Sequence, residues 1–155
     1  VFIEGMLPLE EQHYIGIPRT CGFGELGEVM KQDYEALYHF MQENNISTQR
    51  VPFTIYNTFD MFNRISNYIA CIPVDEEYEI KEKWVRGTLQ SQKALKTMHK
   101  GSYMHLGNAW MTAMNFARLK KIKVQKSPMG YEFYLNDPQV TPAEELITEI
   151  YLPLK

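Results

Sequence analysis

Phe53-Thr-Ile-Tyr56 and Tyr131-Glu-Phe-Tyr134 stand 78 residues apart and read as one strand written twice. Working outward, each is followed by an apolar segment that runs into proline. These are Ala70-Cys-Ile-Pro73-Val74 and Ile150-Tyr-Leu-Pro153-Leu154, at an offset of 80. Upstream, Leu26-Gly27 matches Leu106-Gly107 and Phe23 matches Tyr103, again 80 apart, and Gly5-x-Leu7 opens one half as Gly87-x-Leu89 opens the other. Five matches in one order indicate an internal duplication, with two short insertions accounting for the drift.

Each half carries the same coarse pattern. An extended segment (residues 13–19, then 94–99) leads to a turn with glycine at Gly22-Phe-Gly24 or Lys100-Gly-Ser102. A long helix follows, over about 25–43 and about 104–121. The first has Leu26, Val29, Met30, Leu37, Phe40 and Met41 near a 3.6-residue period. Asn44-Asn45 suits its C-cap. The second sets Leu106, Trp110, Met114 and Ala117 on one stripe and ends in Arg118-Leu-Lys-Lys121, a basic run suited to a helix C-terminus. Two strands complete each half, about 53–58 and 66–74, then 130–136 and 145–153. The charged stretch 75–83 reads as a solvated crossover. The expected architecture is α+β: duplicated strand-helix-strand-strand units with pseudo-two-fold symmetry, antiparallel sheets, two long helices and a central pocket. Neither half closes a core well alone. Residues 1–155 therefore read as a single domain, with repeats at 5–74 and 84–155 and a pocket at their seam.

Composition narrows the function. Hydrophobic residues are 45% and charged residues 23% of the 155, ordinary for a globular protein. The net charge of -3 gives no electrostatic reason to expect nucleic acid or an anionic membrane as partner. Cys21 and Cys71 have no CxxC partner and read as buried small hydrophobes in a reducing compartment. With no signal-peptide pattern or membrane-spanning run, a cytoplasmic location is expected. Ten Tyr, eight Phe and two Trp are many for this length. A buried tyrosine needs a partner for its hydroxyl, so the chain suits either a tyrosine-rich core or a ligand-lined cavity.

Strand alternation proposes the pocket face. In the last strand Ile147, Glu149 and Tyr151 point one way, and Leu146, Thr148, Ile150 and Leu152 the other. In the strand before it, Glu132 and Tyr134 alternate with Tyr131, Phe133 and Leu135. The expected pairing places Glu132, Tyr134, Glu149 and Tyr151 on one face, joined from the first half by Thr54 and Tyr56. A carboxylate in such a setting is costly to desolvate unless tyrosine hydroxyls or a cationic ligand compensate it, and aromatic faces add about 0.5–2 kcal/mol of cation attraction each. Trp110 is placed either over this pocket or in the inter-helix core. Both acids come from the second half, so a cationic end is expected to orient toward them. Other chemistry lacks support. His13, His39, His99 and His105 include no pair at helical metal-ligand spacing, so no metal site is expected. Ser102 has no nucleophile-elbow context, and the glycines at 22, 24 and 27 lack the setting of a dinucleotide loop. No cofactor is expected.

Thr97-Met-His-Lys-Gly-Ser-Tyr103, Tyr131-Glu-Phe-Tyr-Leu-Asn-Asp137 and the closing Thr141-Pro-Ala-Glu-Glu-Leu-Ile-Thr-Glu-Ile-Tyr-Leu-Pro-Leu154 resemble the gyrase-inhibitory-protein-like (GyrI-like) family. This family includes the effector-binding domains of AraC-type and MerR-type multidrug regulators. The resemblance covers nearly the whole chain, most strongly residues 94–154. It implies a central pocket for lipophilic, often cationic, small molecules. It maps the family's pocket glutamates onto Glu132 and Glu149 and a pocket tyrosine onto Tyr151. Members are fused to a DNA-binding helix-turn-helix or stand alone. No helix-turn-helix precedes the first strand here, so a stand-alone binding protein is expected, a monomer or weak dimer without nucleic acid or membrane as partner. The alternatives are a hydrolase of a reactive electrophile, with Glu149 and Tyr151 as its catalytic groups, and a gyrase-interacting protein. No second catalytic group stands out, which favours binding.

Overall fold

The structure is a computed structural model that describes residues 1–155. Eight strands and two helices run in the order β1 (Phe2–Leu9), β2 (Gln12–Gly22), α1 (Leu26–Glu43), β3 (Phe53–Asp60), β4 (Ile65–Pro73), β5 (Val85–Leu89), β6 (Gln92–Lys100), α2 (Leu106–Leu119), β7 (Gly130–Tyr134) and β8 (Ile147–Pro153). A turn of 3₁₀ helix, Tyr103–His105, leads into α2, with the Ser102 side chain accepting from the Met104 amide. All strand pairs are antiparallel, in the order β1-β6-β8-β7-β3-β4-β2-β5. Exchanging the two halves maps this order onto itself, so a local two-fold axis passes between β7 and β3.

The fold is the expected α+β duplication, with one addition per half. β1 and β5 extend each unit to two strands before its helix, and each pairs across the repeat boundary. β1 adds to β6 of the second half, and β5 adds to β2 of the first. Glu10-Glu11 separates β1 from β2, yet β1 forms one edge of the sheet and β2 lies next to the other. In β1 the register slips at Glu4, where Gly5 takes φ +107°. Glycine meets this backbone demand without strain.

One face of the sheet carries both helices. α1 lies across β2 and β4, and α2 across β6 and β8. Leu37 and Phe40 from α1, and Ala109, Ala113 and Ala117 from α2, are buried there with Ile17, Ala70, Leu95 and Ile150. The sheet curls about its other face. Leu9 of β1 and Leu89 of β5 share a second buried cluster with Phe53, Tyr131 and Tyr151. The segment between β4 and β5 has no regular structure, and its charged residues are exposed. No helix is long and apolar enough to cross a membrane.

Candidate functional site: a cleft over the local two-fold axis

Because the helices cover β2 and β4 on one side and β6 and β8 on the other, the central pair β3 and β7 is left as the floor of an open cleft of about 2130 Å³. α1 contributes Met30, Tyr34 and Tyr38 to its walls, and α2 contributes Trp110, Met111 and Met114. Tyr56, Glu132 and Tyr134 form the floor.

Glu132 is 3% exposed. Three donors hold its carboxylate: the hydroxyls of Tyr56 at 3.0 Å and Tyr134 at 2.8 Å on Oε1, and the indole Nε1 of Trp110 at 2.6 Å on Oε2. The repeat explains the symmetry of this grip, since Tyr56 and Tyr134 are equivalent positions. Burial pushes the Glu132 carboxyl above its ordinary range, and the hydrogen bonds from Trp110, Tyr134 and Tyr56 pull back only part of the way. Burial, and then the facing carboxylate, push the Tyr56 hydroxyl well up, so it remains a donor.

Trp110 reaches Glu132 because β7 opens with glycine. A Cβ at Gly130 would lie 2.7 Å from Cη2 of Trp110 and 2.6 Å from the Tyr151 carbonyl. The indole ring packs edge-on against Tyr56, with centroids 5.5 Å apart, and against Phe59 at 5.8 Å.

On the first-half side of the axis the same positions are neutral. Thr54 occupies the position equivalent to Glu132 and is fully buried beneath the cleft. Its hydroxyl bonds with those of Tyr34 at 2.9 Å and Tyr134 at 2.7 Å. Met30 stands where the repeat places Trp110, with its sulfur 3.9 Å from the Thr54 hydroxyl.

The structure therefore brings Glu132, Tyr134, Tyr56, Trp110 and Thr54 together. It places Glu149, Tyr151 and Ile147 elsewhere. β8 pairs with β7 so that Glu132 opposes Ile150 and Phe133 opposes Glu149. This register is one residue from the expected one, and a one-residue slip exchanges the faces. Glu149 and Tyr151 consequently lie on the face away from the helices. There Lys96 sits between Glu149 at 2.5 Å and Glu4 at 3.0 Å, with its ammonium 5.9 Å from the centre of the Tyr151 ring. Burial acts to lower the Lys96 pKa, but hydrogen bonds to the two carboxylates raise it above its usual value.

The first half carries a buried acid of its own, outside the cleft. Asp33 of α1 is 1% exposed and takes a forked contact from Arg19 at 2.8–3.2 Å and the Tyr68 hydroxyl at 3.1 Å. An aspartate inside an otherwise apolar helix stripe was the available signal. The equivalent second-half residues, 80 positions on, are His99, Ala113 and Thr148. Asp33 lies beneath α1 and does not line the cleft. Tyr103, the repeat equivalent of Phe23, also lines the cleft, with its ring centre 5.7 Å from that of Tyr134. Burial pushes its hydroxyl up to about 12. His/Cys/Asp/Glu groups able to hold a metal ion are absent from the structure.

A duplicated sheet with two flanking helices and an aromatic cleft on its axis defines a small-molecule-binding domain. The GyrI-like small molecule binding domain family matches residues 6–155, and the chain belongs to that family. No curated protein matches the sequence. Among solved structures, EcmrR in its DNA complex shares the fold at TM-score 0.83 and 18% identity over 97% of this chain, which spans 56% of that longer one. The EcmrR C-terminal domain matches at TM-score 0.78 and 16% identity, covering 100% of this chain and 99% of its own. SAV2435 bound to tetraphenylphosphonium matches at 0.73 and 18%, covering 100% and 94%. At these identities the likeness is one of fold.

Proposed function

We propose that the cleft binds a lipophilic small molecule carrying a cationic centre, with Glu132 as its counter-charge. The observation that carries this reading is the buried Glu132 carboxylate on the floor of an aromatic cleft. A carboxylate desolvated to this degree gains from a cation more than an exposed one does. Tyr56, Tyr134 and Trp110 keep it fixed while presenting ring edges and faces to the cleft. The cleft exceeds the roughly 300–1,000 Å³ of ordinary drug-sized sites, which suits bulky polyaromatic cations. Six methionines line it, namely Met30, Met41, Met61, Met111, Met114 and Met129, and unbranched thioethers adapt to varied shapes. The cation bound by SAV2435 in a similar fold is of this class.

Binding without turnover is the better-supported reading. Three donors already occupy most of the acceptor positions of Glu132, leaving little basic capacity to activate a water. Glu149 and Tyr151, the groups expected of a hydrolase, lie across the sheet from the cleft.

The test is calorimetric titration with tetraphenylphosphonium and with neutral triphenylphosphine oxide. Wild type is expected to bind the cation more tightly, and Glu132→Gln to lose roughly tenfold or more in cation affinity, the scale of one charge-assisted contact. Equal affinity of wild type and Glu132→Gln for the cation would sink the reading.

A further inference from the structure

The net charge of -3 conceals a segregation. From Lys83 to Tyr131 the chain holds ten of its 16 Lys and Arg residues and none of its 19 Asp and Glu residues. Five of the ten fall between the last turn of α2 and β7: Arg118, Lys120, Lys121, Lys123 and Lys126. All five are exposed. None forms an ion pair; the lysines and arginines that do are Arg19, Arg50 and Lys96. The negative end of α2 accounts for Arg118, Lys120 and Lys121, because helix-dipole stabilisation fades beyond the last turn. It does not account for Lys123 and Lys126. The segment is nonetheless fixed in place. Val124 bridges to Leu154, and the Gln125 amide donates to the Pro153 carbonyl at 2.8 Å.

Exposed apolar side chains run into this basic end. Met111 is 57%, Met114 41% and Leu119 80% exposed. Met111, Met114 and Arg118 follow one another at helical spacing along α2. Met111 and Met114 also form part of the cleft wall, and Arg118 lies four positions on from Met114, about 6 Å along the helix.

We propose that this face of α2 and the segment after it dock the protein on an anionic phospholipid surface. Clusters of four to eight basic residues are attracted to such surfaces without a specific pocket. An adjoining apolar helix stripe is the feature that interfacial helices add. The patch favours lipid over nucleic acid. Four of its five cations are lysines, which act as point charges where arginine would supply forked contacts. It sits at a helix C-terminus, where backbone carbonyls repel phosphate as strongly as an N-terminus attracts it, so charge and apolar contact must act together. Docking would bring the mouth of the cleft to the membrane surface, where lipophilic molecules concentrate.

The experiment is co-sedimentation of the whole chain, without ligand, with vesicles of phosphatidylcholine alone or mixed with phosphatidylglycerol. Binding is expected only to the anionic vesicles and is expected to fall steeply with salt. Lys120→Gln/Lys123→Gln/Lys126→Gln should weaken it on the order of tenfold or more, and Leu119→Ser several-fold. These positions are exposed, and an unchanged thermal melt establishes that the variants are folded. Short duplex DNA is run in parallel. Tighter binding to DNA than to vesicles, or equal binding to neutral and anionic vesicles, or none to either, would overturn the proposal. A Leu119→Ser variant that binds anionic vesicles like wild type would overturn the apolar half of it.

Discussion

Thr54 and Glu132 face one another across β3 and β7, each the repeat equivalent of the other, so the local two-fold axis passes between them. Their neighbours conform. Phe53 opposes Phe133 and Ile55 opposes Tyr131, and each pair maps onto the other when the halves are exchanged. The one carboxylate on the cleft floor thus sits almost at the centre of the fold, with Tyr56 and Tyr134 reaching it from equivalent positions.

The division of the two glutamates between sheet faces predicts opposite outcomes for one conservative change. Glu149→Gln leaves tetraphenylphosphonium affinity within about twofold of wild type, whereas Glu132→Gln lowers it by roughly tenfold or more. Glu149→Gln instead weakens the hold on Lys96, and with it the docking of β1. Hydrogen exchange of the β1 amides should quicken in Glu149→Gln and stay unchanged in Glu132→Gln.

The raised Glu132 carboxyl sets a pH dependence. Between the ordinary value of 4.5 and its higher folded value, the native state keeps a proton that the unfolded chain has lost. Stability contributed by this group is therefore complete below 4.5 and declines as pH rises through that window. Glu132→Gln should flatten that part of the profile of urea midpoint against pH. A bound cation favours the ionised form, so ligand binding in the window releases protons. Calorimetric enthalpies that do not vary with buffer ionisation enthalpy would contradict this.

Gly130→Ala forces the Trp110 ring off its seat or shifts β7. We expect about 1–3 kcal/mol of lost stability from overpacking. The indole should also lose its bond to Glu132, seen as altered tryptophan fluorescence and weakened cation binding. A variant with wild-type fluorescence and stability would show that the close approach is not needed.

Asp33→Ala removes the shared acceptor of Arg19 and Tyr68. Loss of one partner of a buried pair is costly, but the Arg19 side chain is 49% exposed and regains water. We expect about 2 kcal/mol of destabilisation by urea unfolding. Cleft affinity of the folded variant should be close to wild type, because Asp33 lies beneath α1 and outside the cleft.

Much of this was legible in the chain. Both helices and six strands follow from periodicity and from the 80-residue repeat. β1 and β5 were hidden because each is an edge strand with glycine in it and pairs with the half it does not belong to, a pairing that no local pattern encodes. Glu132, Tyr134, Tyr56, Trp110 and Thr54 were legible as residue types on alternating strands. Glu149 was misread because alternation gives the two faces of one strand, and only the register with its neighbour decides which faces coincide. That register is set by the irregular chain between Tyr134 and Ile147. The basic end of α2 was visible as helix-terminal charge, but a net charge sums over the surface and erases its distribution.

The axis between Thr54 and Glu132 also explains why the cleft floor can hold a single acid. In a homodimer of single units, a residue on the two-fold meets its own copy, so a glutamate there would confront a second glutamate and a threonine a second threonine. Joining both units in one chain lifts that identity. The fold keeps the geometry of a dimer, down to the first strands each half lends the other, while the two sides of its centre are free to differ. A binding site for an asymmetric molecule can therefore occupy a symmetric frame.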